Sequence, residues 1–241
     1  MESANRVCST IMVALLLSVN AFAKTPSWSY ENPRIGAGEV QIRTACMMPA
    51  EGKLSKLGMK GREGMSKESD AWSTQLQTVV ESHLKLAGVE VVASVGASES
   101  GASDDELNQV VLRLQGKYDE IHGQIEKKPK DIGKSRFTLG DEVALLPCDA
   151  KADVLVFVEG TGQVLTGGKK AMGALIGGPS ASMAHLSLAM ADAKTGEILA
   201  FARMNNFEKF VDDSEKAYGK ALDKQFRKMK IGANAESKKK K

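Results

Sequence analysis

The sequence has little aromatic character and almost no long apolar run. Only 5% of its 241 residues are aromatic, the mean hydropathy is −0.22, and the one long apolar run lies at the extreme N-terminus. A multi-span membrane protein is therefore excluded, because each spanning helix needs about 20 apolar residues. The remaining composition, with 42% hydrophobic and 26% charged residues, is typical of one folded domain.

The sequence also lacks a large excess of charge of one sign. The formal net charge is +3, and four lysines form the C-terminus. Without these lysines and residues 1–23, 28 basic and 29 acidic side chains remain. A globally basic surface for nucleic acid is therefore not supported. We expect residues 233–241 to form a disordered, lysine-rich tail, or to attract an anionic lipid or polymer weakly.

Residues 1–23 have the organisation of a secretory signal peptide. Arg6 supplies a positive charge, residues 11–19 are apolar, and residues 21–23 match the small-x-small pattern of a cleavage site. We expect cleavage after Ala23 and a periplasmic or secreted mature protein. An uncleaved anchor is the alternative, although the apolar run is shorter than a spanning helix.

Cysteine is scarce, and no CxxC pair suggests redox catalysis. Cys46 and Cys148 remain after the expected cleavage, in a compartment that permits oxidation. We predict a disulfide between them, with two buried thiols as the alternative. In the chain-entropy model, closing a loop of about 100 residues stabilises a fold by about 4–5 kcal/mol.

Helical periodicity occurs three times within the expected domain, residues 39–232. The stripes begin after Ser66 or Ser69, after Ser103 and after Ser214, and serine is a favoured N-cap. Residues 138–146 could form a further short helix. The three stripes consist of Trp72, Leu76, Val79, Val80, His83 and Leu84; of Leu107, Val110, Val111, Leu114, Tyr118, Ile121 and Ile125; and of Tyr218, Leu222, Phe226 and Met229.

Strand patterns lie between the helices and in the C-terminal third. Residues 40–46 alternate, residues 89–93 are rich in valine, and the apolar run 154–158 is typical of a strand covered on both faces. Residues 183–191 and 198–204 flank a polar turn and predict a hairpin. The order predicts one α/β domain: a mixed sheet with flanking helices and a C-terminal β-hairpin followed by a helix.

Two segments are predicted to lack regular structure because glycine or proline interrupts them. Residues 24–38 should form an irregular N-terminal arm, pinned to the domain by its aromatic side chains. Residues 51–65, with four glycines, should form a mobile surface loop.

The motifs that could carry chemistry are incomplete. Gly162 and Gly167 have the spacing of a phosphate-binding loop, but Gly168 occupies the position that requires lysine. Residues 82–85 and 194–196 imitate two elements of penicillin-recognising serine enzymes, whose third element is missing from the mature chain. Nucleotide binding and acyl transfer are therefore not supported.

The three histidines, His83, His122 and His185, lack the paired spacing of metal ligands. Each is interpreted as part of a helix or a strand. We therefore predict a protein that is not an enzyme, with no cofactor, no metal and no evident small-molecule substrate.

A glycine-rich segment at 167–178 is the remaining candidate site. One interpretation is a flexible loop between strands, since glycine tolerates unusual backbone angles. The other is a contact element that packs against a partner or dips into a lipid interface. The candidate contact residues are Gly167, Gly168, Lys169, Lys170, Gly173, Leu175, Ile176, Gly177 and Gly178.

The C-terminal third resembles a group of bacterial envelope proteins. Residues 152–160, a glycine-rich gap, and residues 186–199 with their Asp-x-x-Thr-Gly turn are similar to CsgG of curli secretion, the LpoB activators of peptidoglycan synthases and the TolB N-terminal domain. The resemblance covers residues 39–230 in element order. It implies a non-enzymatic envelope accessory that binds an envelope protein or assembles with itself. The alternative is a membrane-active or oligomer-forming protein that uses residues 167–178.

Overall fold

The computed structural model describes residues 27–95, 105–148, 151–176, 182–205, 210–211 and 213–232. The expected signal peptide and the lysine-rich tail lie outside the described residues. The strands are β1 (Trp28–Glu31), β2 (Thr44–Met47), β3 (Glu51–Gly58), β4 (Gly61–Gly64), β5 (Glu90–Ser94), β6 (Val154–Leu165), β7 (Met183–Asp192) and β8 (Ile198–Asn205). The helices are α1 (Pro33–Ala37), α2 (Ser66–Leu86), α3 (Asp105–Lys127), α4 (Gly167–Ile176) and α5 (Ser214–Lys228), and two 3-10 turns span Pro129–Lys134 and Asp141–Leu145.

The strands form one mixed sheet around β6, the longest of them. The order across the sheet is β1-β8-β7-β6-β2-β5, and β3 pairs with β6 and with β4. β6 runs antiparallel to β7 and parallel to both β2 and β3. β2 lies beside residues 154–156 and β3 beside residues 159–165, so these two strands follow each other along one edge of β6.

Two hydrophobic cores lie on opposite faces of this sheet. Val154 and Val156 face the core that includes α2 and α5, whereas Leu155 and Phe157 face the core that includes α3 and the 3-10 turns. Successive residues of a strand point to opposite faces, so both faces of β6 need apolar side chains. The predicted central strand and the predicted α/β class are thus confirmed.

The predicted helical stripes form the inner faces of the helices. All six residues of the α2 stripe are buried, and so are the four of the α5 stripe. In α3, Val110, Leu114, Tyr118 and Ile125 are buried, and the other three stripe residues are half-buried. Helical periodicity therefore predicted which side of each helix meets the sheet.

The segment predicted as an irregular arm carries regular structure, so this prediction was wrong. β1 pairs antiparallel with β8, and α1 follows it. The Oδ1 atom of Asn32 accepts from the backbone N–H of Arg34 at 3.1 Å and caps α1, while its Nδ2 donates to Glu197 Oε1 at 2.7 Å. The strand that pairs with β1 lies far along the chain, so the local composition of residues 24–38 does not indicate the pairing.

Strands β3 and β4 replace the mobile loop predicted at residues 51–65, which is a second correction. One glycine of this segment, Gly52, allows close packing. A Cβ atom on Gly52 would lie 2.9 Å from the Trp72 ring and 3.1 Å from the backbone nitrogen of Ser73. Glycine here permits helix α2 to approach β3, and it does not make the segment mobile.

Glycines in β6 have the same role. A Cβ atom on Gly160 would lie 2.7 Å from Trp72 Cη2, and one on Gly162 would lie 2.6 Å from Phe210 Cε2. β6 therefore continues beyond the apolar run that ends at Val158. Of the two glycines that imitate a phosphate-binding loop, Gly162 is explained by the Phe210 ring that packs against the strand, whereas Gly167 begins α4.

The predicted disulfide between Cys46 and Cys148 is present. Cys46 lies in β2, Cys148 precedes β6, and their Cα atoms are 6.1 Å apart. Both residues are buried, with 0% and 1% of their surface exposed. The bridge ties β2 to the segment that leads into the central strand.

Replacement of both cysteines by serine should destabilise the domain by about 4–5 kcal/mol, because the unfolded chain regains the entropy of a 102-residue loop. Urea unfolding of the double variant and of the oxidised parent measures the difference. The reduced parent is the matched control and should lose a similar amount. A loss below about 1 kcal/mol in both would contradict a stabilising bridge.

His83 joins the two helices on one face of the sheet. Its Nδ1 lies 2.6 Å from Asp223 Oδ1 and its Nε2 lies 2.9 Å from Glu215 Oε1, both on α5. Burial lowers the pKa of His83, but the hydrogen bonds from both ring nitrogens to carboxylates outweigh it and leave the pKa raised. The protonated ring is the form that can donate to both carboxylates at once.

Stability should therefore fall as the pH rises through the raised pKa of His83. Below the unfolded-state pKa of about 6.5 the ring is charged in both states and its contribution is complete; above the folded-state pKa the contribution is lost. Urea unfolding from about pH 6 to about pH 9 measures this dependence. The variant His83→Gln should be less stable at the lower pH by about 1–3 kcal/mol and should show a flatter profile. Equal slopes in the two proteins would refute the assignment.

Candidate functional site

The predicted contact segment contains a helix that directly follows the central strand β6. Helix α4 spans Gly167–Ile176, so the interpretation of residues 167–178 as a flexible loop is corrected over the part that the structure describes. Thr166 Oγ1 accepts from the backbone N–H of Lys169 at 3.4 Å, as an N-cap residue does. Gly177, Gly178 and the side chains of Gly173 and Ile176 lie outside the described residues.

The turn between β3 and β4 holds the start of α4 in place. The backbone N–H of Thr166 donates to the carbonyl oxygen of Leu57 at 3.2 Å. A Cβ atom on Gly168 would lie 3.8 Å from Met59 Cγ, in ordinary van der Waals contact. We call residues 56–62 together with α4 the tip.

Large apolar side chains of the tip are exposed to solvent. Leu175 is 83% exposed, Met59 is 63% exposed and Met172 is 39% exposed. Met172 and Leu175 are three residues apart on α4, and Gly168 precedes Met172 by four, so all three lie on one side of the helix. Since Met59 contacts the position of Gly168, it extends the same apolar line onto the turn.

The charges of the tip have one sign. Its residues include the basic Lys56, Lys60, Arg62, Lys169 and Lys170 and no acidic residue. Lys170 is exposed and Lys169 is half-buried. The arrangement can attract a negatively charged surface and offer it an apolar line, which is a binding function rather than a chemical reaction.

A row of polar side chains crosses the sheet beneath the last turns of α3. Glu51, Glu159, Ser187 and Arg203 are register partners on β3, β6, β7 and β8. The row lies next to the core of that face, whose side chains include Phe157 and Phe201. Here the face of the sheet changes from apolar to polar.

His122 of α3 reaches into this row. Its Nδ1 lies 2.9 Å from Glu159 Oε2, and its Nε2 lies 3.3 Å from Ser187 Oγ. The hydrogen bond from His122 lowers the pKa of Glu159 and outweighs the effect of burial. Arg203 pairs with Glu126, a residue one helical turn beyond His122. Glu159, His122 and Ser187 thus have the order of a serine-hydrolase triad.

The position of Ser187 argues for a structural network. Ser187 is buried in the middle of β7 and is paired on both sides, with Glu159 and with Arg203. Hydrolase nucleophiles stand on a sharp turn beside free backbone N–H groups, which stabilise the oxyanion. In the interior of a sheet, the backbone N–H groups already donate to carbonyl groups of the neighbouring strands.

Sequence reasoning missed this row because its members are distant in the chain. The only local sign is that Glu159 and Ser187 interrupt apolar strands, which indicates a polar patch on an otherwise buried face.

The residues that imitate elements of serine enzymes lie on separate parts of the fold. Ser82 is exposed on α2, and Lys194 and Thr195 lie in the β7–β8 turn, where their backbone N–H groups donate to Asp192 Oδ1 at 2.9 Å. His185 Nδ1 lies 2.7 Å from Asn205 Oδ1.

No group of three or more His, Cys, Asp or Glu residues among the described residues could hold a metal ion. No helix in the described part of the chain is long and apolar enough to cross a membrane.

No protein-family model matches the chain, and no curated protein is similar to it. Among solved structures, two PelC dodecamers from Paraburkholderia phytofirmans are similar to it. One, a point variant, has 9% identity and a TM-score of 0.35 over 83% of this chain and 96% of its own. The other has 10% identity and a TM-score of 0.34 over 82% and 94%. With scores this low, function has to be argued from this chain's own residues.

Glu159→Gln should destabilise the domain by about 1–3 kcal/mol, because it weakens the hydrogen bond that His122 makes to a charged, largely buried carboxylate. Ser187→Ala should change stability by less than about 1 kcal/mol, because only one long hydrogen bond is lost. Urea unfolding of both variants measures these effects. A larger loss for Ser187→Ala than for Glu159→Gln would contradict this order.

Proposed function

We propose that the protein is an exported, non-enzymatic accessory of the bacterial cell envelope that works by binding an envelope protein or by self-assembly. The observation that carries the proposal is the tip, where a short helix exposes 83% of Leu175, a larger fraction than at the other exposed leucines, Leu86, Leu112 and Leu145. Exposed apolar residues that form a continuous line are typical of contact sites.

The disulfide supports export. The bridge between Cys46 and Cys148 is typical of proteins that fold in an oxidising compartment. The organisation of residues 1–23 is consistent with this, and we place the mature protein in the periplasm or outside the cell.

The polar groups of the sheet support a function without catalysis. Glu159, His122 and Ser187 form hydrogen bonds inside the fold, and Ser187 lies in a strand interior without the turn that presents a nucleophile. The histidines that could act as bases, His83, His122 and His185, all have partners within the protein.

The resemblance to the CsgG, LpoB and TolB N-terminal group also belongs to this proposal. The element order that carries it, a central strand β6 followed by the hairpin of β7 and β8, occurs in the fold. In the turn Asp192–Gly196, the side chain of Asp192 accepts from the backbone N–H groups of Lys194 and Thr195, as is common in turns. We infer that the chain acts as members of that group do, by binding or assembly.

A second candidate function is a membrane-active or oligomer-forming protein that uses residues 167–178. The exposed Leu175 and Met172 on one side of α4 favour it. The two candidates share the tip as their contact surface and differ in what binds there.

Cross-linking in intact cells tests the proposal. The full chain should give reproducible adducts with an envelope protein or with its own copy, identified by mass spectrometry after purification. A chain that lacks residues 1–23 is the control, and it should not give these adducts because it is not exported. If the exported chain forms no adduct beyond those of the control, the proposal is wrong.

A further inference from the structure

We propose that the tip docks onto an anionic lipid bilayer as a peripheral contact. The inference rests on the proposed function, since it assigns the partner of the same surface and requires export to a compartment bounded by membranes. Three properties of the tip support it: an apolar line, charge of one sign, and a composition that differs from that of protein interfaces.

The exposed apolar side chains of the tip lie on two adjoining elements. Met59 on the turn, and Met172 and Leu175 on α4, are the exposed large hydrophobic side chains of the tip. The contact between Met59 Cγ and the position of Gly168 joins the two elements. A short helix that lies in the membrane plane can immerse such a line at the boundary between headgroups and acyl chains.

The charges complement an anionic surface. Five basic and no acidic residues lie in the tip, whereas the chain without residues 1–23 and the terminal lysines has 28 basic and 29 acidic residues. The acidic residue next along the chain, Glu63, follows Arg62 in β4 and is the register partner of Lys56 in β3, so it lies on the face of Lys56 and opposite to that of Arg62. Each lysine or arginine near an anionic membrane surface strengthens binding, and lysine stems extend along apolar surface towards the headgroups.

The composition favours lipid over a protein groove. Interfaces between proteins are enriched in aromatic residues, methionine and arginine and depleted of lysine. The tip exposes two methionines, but it has four lysines against one arginine and no aromatic residue. Lysines on one face of a helix and leucine on another are typical of helices that lie on membranes.

The test is flotation of the full mature chain, disulfide intact, with vesicles of phosphatidylglycerol and phosphatidylcholine in equal parts, and with vesicles of phosphatidylcholine alone. The chain should bind the anionic vesicles and should bind the neutral ones at least tenfold more weakly, since about 1 kcal/mol per basic residue is lost.

Two tip variants and two matched controls locate the contact. Leu175→Gln and the double variant Lys169→Ser, Lys170→Ser should each weaken binding to anionic vesicles by about tenfold or more. Leu112→Gln, at a leucine that is 70% exposed on α3, and Lys127→Ser with Lys128→Ser, at an exposed pair, should bind as the parent does. Circular dichroism confirms that all four are folded, as expected for surface positions.

Three other outcomes overturn the inference, and a fourth overturns only the accessory function. If the chain binds neutral and anionic vesicles equally, charge does not contribute to binding. If both tip variants bind as the parent does, the contact lies elsewhere, for example on the lysine-rich tail that all the variants retain. If no vesicle binds while the cell cross-links appear, the lipid contact is wrong and the accessory function stands. If vesicles bind as expected and no cross-link appears, the accessory function is wrong and the lipid contact stands.

Discussion

The structure depends on the pairing of β6, a 12-residue strand that contacts three others along its length. In its first half, apolar side chains point to both faces, and a helical layer covers each of them. Such a strand cannot be stable alone, because every second side chain would be left in water on whichever face was uncovered. The helices of both layers therefore follow from the composition of one strand.

The second half of β6 differs from the first and positions both features of functional interest. On one face, Gly160 and Gly162 admit the rings of Trp72 and Phe210, so that the α2 layer approaches the backbone closely. On the other face, Glu159 begins a polar row in which His122 of α3 is held. Beyond Leu165 the strand leads directly into the tip, whose large apolar residues Met59, Met172 and Leu175 are exposed.

Sequence periodicity predicted the helices α2, α3 and α5, the central strand and the C-terminal hairpin, because each buries a face whose repeat is visible locally. It failed where glycine was interpreted as a sign of mobility. Residues 51–65 contain strands since β6, about 100 residues further along the chain, supplies the hydrogen-bond partners of β3, and β3 supplies those of β4. Helix α4 was missed for a similar reason: three glycines lower its helix propensity, and its N-cap at Thr166 is held by Leu57 of β3.

The candidate contact residues Lys169, Lys170 and Leu175 could be named from the sequence because their composition is unusual for a loop, but Met59 could not, because it lies more than 100 residues away. The sequence by itself determined the fold class, the disulfide partners and the buried side of each long helix, since these follow from local repeats and from cysteine count. Only the tertiary structure decided that two glycine-rich segments form one tip and that Glu159, His122 and Ser187 meet across the sheet. These contacts depend on strand register, which pairs residues distant in the chain and leaves little local signal.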